Sequence, residues 1–222
     1  NELIDVFNAP VIEAYGMTEA AHQMCSNPLP PRAQKPGAVG VAAGPDVGTA
    51  SETSDVLLMA GQTGEIVING PNVTPGYEGN PKANEDNFFM ADGKRWFRTG
   101  YQGAFDDEGY LRLTGRLKEI INRGGEKISP LEVDAVLLGH PEIAQIVCFG
   151  VLHPKLGEDI AAAVVLTEGS QLNEKDIRAF AAEHIANFKV PRSIMILEEI
   201  PKGPTGKIQR IGMAEKLGMT HE

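Results

Sequence analysis

Arg116-Leu117-Lys118-Glu119-Ile120-Ile121-Asn122-Arg123-Gly124-Gly125-Glu126-Lys127-Ile128-Ser129-Pro130-Leu131-Glu132-Val133 is the stretch that decides how this sequence folds. Its end carries the marks of a helix start. Ser129 can cap with its hydroxyl, Pro130 fits the first helical position, where no N–H is needed, and Glu132, three residues past the cap, completes a capping box. Val133, Val136 and Leu137 recur at helical spacing, and Gly139 followed by Pro141 supplies the stop. Two apolar runs follow, Ile146 to Leu152 and Ile160 to Leu166, each the length of a buried strand. A second helix is predicted from Asn173, with Ile177, Phe180, Ala181 and Ile185 on one face, and Ser193 to Leu197 reads as a last strand. The spacing therefore predicts a small α+β domain over residues 118–222.

Upstream of Leu117 the character differs. Gly and Pro are frequent, and short apolar alternations at Glu65 to Ile68 and Tyr110 to Leu113 read as strands joined by turns. Residues 42–64, with Gly44-Pro45, Gly48 and Gly61 among Ser and Thr, read as a loop or hairpin excursion. Residues 1–117 are thus expected to form a β-rich domain, and the chain as a whole is α/β in the α+β sense.

Composition narrows the function classes. The 222 residues are 42% hydrophobic and 23% charged, ordinary for a folded globular protein. A formal charge of −10 argues against nucleic acid as a partner, because phosphate backbones are held by clustered Lys and Arg. Cys25 and Cys148 lie far apart without metal-ligand spacing, so they read as reduced thiols of an intracellular, cytoplasmic protein. No apolar run approaches the ~20 residues of a membrane span. Asn1 begins no signal-peptide pattern, and the last residues carry no terminal Ser-Lys-Leu.

Four segments carry candidate chemistry. Tyr15-Gly16-Met17-Thr18-Glu19 places an aromatic ring, a hydroxyl and a carboxylate within five residues, a set suited to a base, a phosphate oxygen and Mg²⁺; equally, Thr18 can cap a helix starting at Glu19. Gly64 to Pro71, then Gly76-Tyr77, reads as a strand entering a turn, with a placement role only. Arg116 to Lys127 combines cations with a Gly pair that permits positive φ or close approach of a ligand; the other reading is a solvated strand ending in a turn. Lys207, in Pro201-Lys202-Gly203-Pro204-Thr205-Gly206-Lys207, projects from a turn-rich loop without the spacing of a Walker loop, and alone it reads as surface.

Together, in this order, the four segments resemble the acyl-CoA synthetases of the adenylate-forming, AMP-binding superfamily, along essentially all 222 residues. Tyr15 to Pro30 and Ile121 to Pro130 look most like the oxalate CoA ligases, with the 4-coumarate CoA ligases also similar. The resemblance implies ATP- and Mg²⁺-dependent activation of a small carboxylate to an acyl adenylate, rotation of the small domain, and transfer to coenzyme A. It implies that Tyr15 stacks near adenine, Thr18 contacts phosphate, Glu19 ligates Mg²⁺ and Arg116 holds the ribose. Lys118 would be the hinge, Gly125 would lie where the pantetheine arm passes, and Lys207 would stabilise charge developing between carboxylate and α-phosphate. Tyr101 stands in Arg98-Thr99-Gly100-Tyr101 where the family has an Asp that bonds both ribose hydroxyls, so the nucleotide (ATP or AMP) contact at Tyr101 is altered.

Family members are more than twice as long, and their phosphate loop and most of the acyl pocket precede the segment matching Asn1. The expectation is a truncated acyl-CoA synthetase, impaired on its own and completed by a missing amino-terminal half or a homodimer partner. Two alternatives stand beside it: a stand-alone esterase or thioesterase using His22, His140, His153 or His184 as base to Ser26, and a non-catalytic AMP- or CoA-binding module.

Overall fold

The structure is a computed structural model in which residues 2–204 and 206–219 are described. The chain forms two compact units, Asn1–Leu117 and Lys118–Glu222.

The first unit begins with helix α1 (Glu2–Phe7) and a three-stranded antiparallel sheet of β1 (Ala14–Met17), β2 (His22–Ser26) and β3 (Val41–Ala42). A second sheet contains β4 (Asp46–Ala50), β5 (Gly64–Asn69), β6 (Phe88–Ala91, after helix α2, Pro81–Asn87), β7 (Lys94–Phe105) and β8 (Leu111–Arg116). Its order is β4-β5-β7-β6, with β8 on the far half of the long β7. Residues 42–64 are therefore a hairpin, β4 pairing antiparallel with β5. Strand alternation sends neighbouring side chains to opposite faces. Ile66, Ile68 and Phe97 join Met24, Cys25 and Leu111 in the larger core, while Val67 and Trp96 pack with Ala50 and Phe89 on the other face. Burial on both faces explains why β5 reads as a nearly unbroken apolar run.

The second unit holds a five-stranded sheet of β9 (Ile121–Arg123), β10 (Glu126–Ile128), β11 (Ile143–His153), β12 (Gly157–Leu166) and β13 (Ser193–Ile196). Its order is β10-β9-β12-β11, and β13 joins β12 in parallel. Helices α3 (Pro130–Leu137) and α4 (Glu174–His184) cover one face, where Val133, Leu137, Ile177 and Ala181 meet Cys148, Ile160, Ala162 and Val164. The other face buries Val147, Phe149, Ala161 and Ala163 under Ile200 and Met213, the latter from helix α5 (Met213–Lys216).

The helix caps differ in detail from expectation. Ser129 Oγ accepts the Glu132 N–H at 3.4 Å, but the Glu132 carboxylate is taken up by Lys189 Nζ at 2.6 and 2.8 Å. The full reciprocal box occurs at α4, between Asn173 and Asp176. Thr18 caps no helix: it is the first residue of a 3-10 turn, Thr18–Ala20, whose cap position is Met17. Helix α5 was not foreseen, because four residues are too few to show a period. Among the described residues no helix is long and apolar enough to cross a membrane.

Candidate functional site

In the first unit Tyr15 sits on β1 at an irregularity of the β1–β2 pairing, immediately before Gly16. A Cβ at Gly16 would overlap the His22 carbonyl, so only glycine lets the two strands close here. The chain then turns through Thr18–Ala20 and two left-handed residues, Ala21 at φ 49° and His22 at φ 89°, a conformation side chains other than glycine seldom adopt. This tight reversal sets Thr18 at the surface and leaves Glu19 half-buried.

Glu19 is gripped from the segment after β5. Its Oε1 accepts the Tyr77 hydroxyl at 3.0 Å, its carbonyl accepts Thr74 N–H at 2.7 Å, and Asn72 Nδ2 donates to the neighbouring Ala20 carbonyl at 2.8 Å. Tyr77 is thus a direct partner of the candidate residue Glu19, where sequence reasoning treated it as scaffold only. Glu19 is a single carboxylate: no group of three or more His, Cys, Asp or Glu side chains that could hold a metal occurs among the described residues.

A bulge aims Tyr101. Opposite Ile66 of β5, strand β7 carries three residues, Thr99, Gly100 and Tyr101, because Glu65 pairs with Gln102 and Val67 with Arg98. Gly100 takes φ +73° and donates its N–H to Glu65 Oε1 at 2.9 Å; Thr99 Oγ1 donates to the Ile66 carbonyl at 2.8 Å. The nearly buried Glu65 carboxylate is balanced by Arg98 at 2.8 Å. Tyr101 emerges as the cross-strand partner of Arg116. Arg116 Nε donates to the Tyr101 hydroxyl at 2.6 Å, and its guanidinium lies 5.0 Å from that ring's centre. Tyr15 completes the cluster edge-on, its ring 5.5 Å from that of Tyr101. Burial drives the Tyr15 phenol well above its ordinary range, partly opposed by the Thr99 side chain.

In the second unit Lys118 is exposed within the 3-10 turn Leu117–Glu119. Gly124 and Gly125 form the two-residue turn between β9 and β10, both at positive φ (61° and 97°), and Asn122 Oδ1 accepts the Gly125 N–H at 3.1 Å. Lys207 is exposed on a narrow loop closed by a bridge between Lys202 and Ile208, its carbonyl accepting Gly203 N–H at 2.8 Å. The structure brings Tyr15, Tyr101 and Arg116 into one cluster, places Thr18 and Glu19 one turn along the chain, and sets Lys118, Gly125 and Lys207 on separate loops of the second unit.

Sequence reasoning also missed Arg210. It donates from Nη2 to Asp134 Oδ2 at 2.6 Å, and its Nε stands 3.4 Å from Glu119 Oε2. Asp134 interrupts the apolar face of α3, and a carboxylate among Val133 and Leu137 is the one signal that a buried cation had to be sought. His140 Nδ1 accepts Glu142 N–H, His184 Nδ1 meets the Phe180 carbonyl, and His153 Nδ1 accepts the N–H groups of Lys155 and Leu156 while its Nε2 meets Arg192 Nη1 at 3.3 Å.

Residues 1–78 match the family described as AMP-binding enzyme, and residues 132–207 match the family described as AMP-binding enzyme C-terminal domain. An oxalate–CoA ligase of Saccharomyces cerevisiae is 50% identical over 209 residues, covering 94% of this chain and 38% of that protein. An oxalate–CoA ligase of Arabidopsis thaliana is 50% identical over 211 residues, 95% of this chain and 40% of that protein. A crystal structure of ATP-bound MatB from Rhodopseudomonas palustris superposes with TM-score 0.85 at 30% identity, over 94% of this chain and 41% of that one. The chain spans about two fifths of the length of the relatives it matches.

Proposed function

Because the chain belongs to the adenylate-forming, AMP-binding acyl-CoA synthetase superfamily, we propose that it supplies the hinge and lysine portion of a carboxylate–CoA ligase. The reaction is activation of a small carboxylate by ATP to an acyl adenylate, with loss of pyrophosphate, then capture of the acyl group by the thiol of coenzyme A. One observation carries the reading: half the residues are identical to those of two oxalate–CoA ligases along nearly the whole chain. Oxalate is the first substrate to try.

The residues divide the work. Lys207, exposed and with its backbone carbonyl accepting the Gly203 N–H, brings a mobile positive charge to the oxygens on which negative charge grows. Thr18, at the surface, offers its hydroxyl to a phosphate oxygen. Glu19 fits Mg²⁺: the Tyr77 hydroxyl orients Oε1, and one carboxylate together with phosphate oxygens and water is the set this ion takes. When bound, Mg²⁺ offsets phosphate charge. Tyr15, Tyr101 and Arg116 form the nucleoside contact, Lys118 serves as hinge, and Gly125, without a side chain, leaves bare backbone beside which the pantetheine arm passes.

One observation favours a second reading, a non-catalytic AMP- or CoA-binding module. The Tyr101 phenolic oxygen already accepts from Arg116, so it has little left for two ribose hydroxyls. Hydrolysis gains no support, since Ser26 Oγ donates to the Asn27 carbonyl and His140, His153 and His184 are engaged with other partners.

The test is ATP–pyrophosphate exchange with oxalate, measured on a chimera carrying the amino-terminal part of the yeast relative upstream of this chain. Oxalate-dependent exchange supports the ligase reading. No exchange in the chimera or in its Tyr101→Asp variant, while the intact yeast protein is active, overturns it; saturable AMP binding by calorimetry would then favour the module.

A further inference from the structure

We propose that Arg210 is a positioning residue that anchors the Lys207 loop to α3 and latches the hinge turn through Glu119. The inference rests on reading Lys118 as hinge and Lys207 as catalytic, but its geometry is independent of that reading. All three side chains are nearly buried: Arg210 is 13% exposed, Glu119 14% and Asp134 9%. A guanidinium presents its donors as a rigid fork, so one arginine can hold two carboxylates that a lysine cannot span in fixed geometry.

The two arms of the fork are unequal. Toward Asp134 the contact is an aligned hydrogen bond of 2.6 Å, and Asp134 is itself fixed, because its Oδ1 accepts the Cys148 N–H at 2.7 Å. Cys148 lies in β11, at one edge of the sheet, so this carboxylate fastens α3 to that edge. Toward Glu119 the separation is 3.4 Å, and the buried Nε makes no aligned hydrogen bond. A polar cavity of about 190 Å³ adjoins this second arm, lined by Lys118, Glu119, Glu158 and Arg210 among others. Glu119 can therefore leave Arg210 and remain in polar surroundings, whereas Asp134 is held on one oxygen by the Cys148 N–H and on the other by Arg210. One arm is permanent and the other is releasable.

Arg210 is also the root of the Lys207 loop. Ile208 bridges to Lys202, and only Gln209 separates this closure from Arg210. Holding Arg210 therefore sets where the loop leaves the domain. The side chain next to the hinge lysine and the base of the catalytic-lysine loop are fastened to the same guanidinium.

Hydrogen–deuterium exchange on the full chain tests this, with near-UV circular dichroism to confirm folding. Glu119→Gln is expected to speed exchange at residues 118–121 at least several-fold and to leave 201–209 unchanged. Arg210→Lys, which keeps the Asp134 partner charged, should behave as Glu119→Gln does. Arg210→Gln should loosen both segments. Unchanged exchange at 118–121 in Glu119→Gln overturns the latch, and uniform loosening of the unit by Arg210→Lys overturns positioning in favour of plain structural support. These readouts do not depend on catalysis, so a failed exchange assay on the chimera would remove the functional reading while leaving the latch to stand or fall on its own.

Discussion

Arg116 in the first unit and Arg210 in the second each anchor a small cluster, and they do so with opposite chemistry. Arg210 lies between two carboxylates, 13% exposed, in a site where one cation faces two anions. Arg116 is exposed and meets a neutral phenol and its ring. Burial raises the pKa of the Asp134 carboxyl, while the charge of Arg210 opposes that rise. The comparison teaches that the second unit has built its arginine into the fold, whereas the first has left its arginine as a surface group whose partner can change.

The sharpest way to break this contrast is Arg210→Gln, which strands a buried carboxylate. Unfolding in urea should show a loss of about 3–5 kcal/mol in the second unit. A loss below about 1 kcal/mol would mean the pair is only a surface bridge.

Lys207→Ala separates function from fold within that same unit. The side chain is exposed, so stability should be unchanged, while oxalate-dependent exchange in the chimera should fall on the order of 10²-fold.

Asp159 offers a pH test of ion pairing in the second unit. Its carboxylate is 1% exposed; burial alone would raise its pKa, but the Arg123 contact at 2.7 Å and the Ile160 N–H together hold it below the ordinary range. A depressed folded pKa contributes stability above the unfolded value, about 4, and that contribution is lost as pH falls through the lower folded value. Asp159→Asn should therefore cost about 2 kcal/mol at neutral pH and progressively less as acid is added, measured as unfolding midpoints over a pH series. A constant difference across pH would exclude the pairing as its source.

Tyr101→Asp would bring the first cluster nearer to the second by setting a carboxylate where the Tyr101 hydroxyl now meets Arg116. AMP should bind roughly tenfold more tightly by calorimetry, through charge-assisted bonds to ribose hydroxyls. The smallest effect belongs to Arg116→Gln, at an exposed side chain that meets the Tyr101 hydroxyl and ring, and it should shift stability by about 1 kcal/mol or less.

The second unit was more legible than the first because its signals are local. Ser129-Pro130 starts α3, Ile160 to Val164 forms the middle of a strand buried on both faces, and Gly124-Gly125 makes a tight turn, each readable within a few residues. What could not be read is pairing at a distance. Arg210 and Asp134 are 76 residues apart, and Tyr77 and Glu19 are 58 apart, so nothing near either member names the other. The bulge that aims Tyr101 arises from the mismatch between two strands, and neither strand alone contains it.

That bulge has a consequence for how position 101 tolerates change. The backbone there is held by the Gly100 N–H on Glu65, by the Thr99 hydroxyl on Ile66 and by a glycine torsion, none of which involves the Tyr101 side chain. The sheet thus fixes the backbone at residue 101 through bonds that its side chain does not make. Exchange between a phenol and a carboxylate at this point changes what the side chain offers to Tyr15, Arg116 and the core beside them, while the backbone that carries it keeps its own anchors.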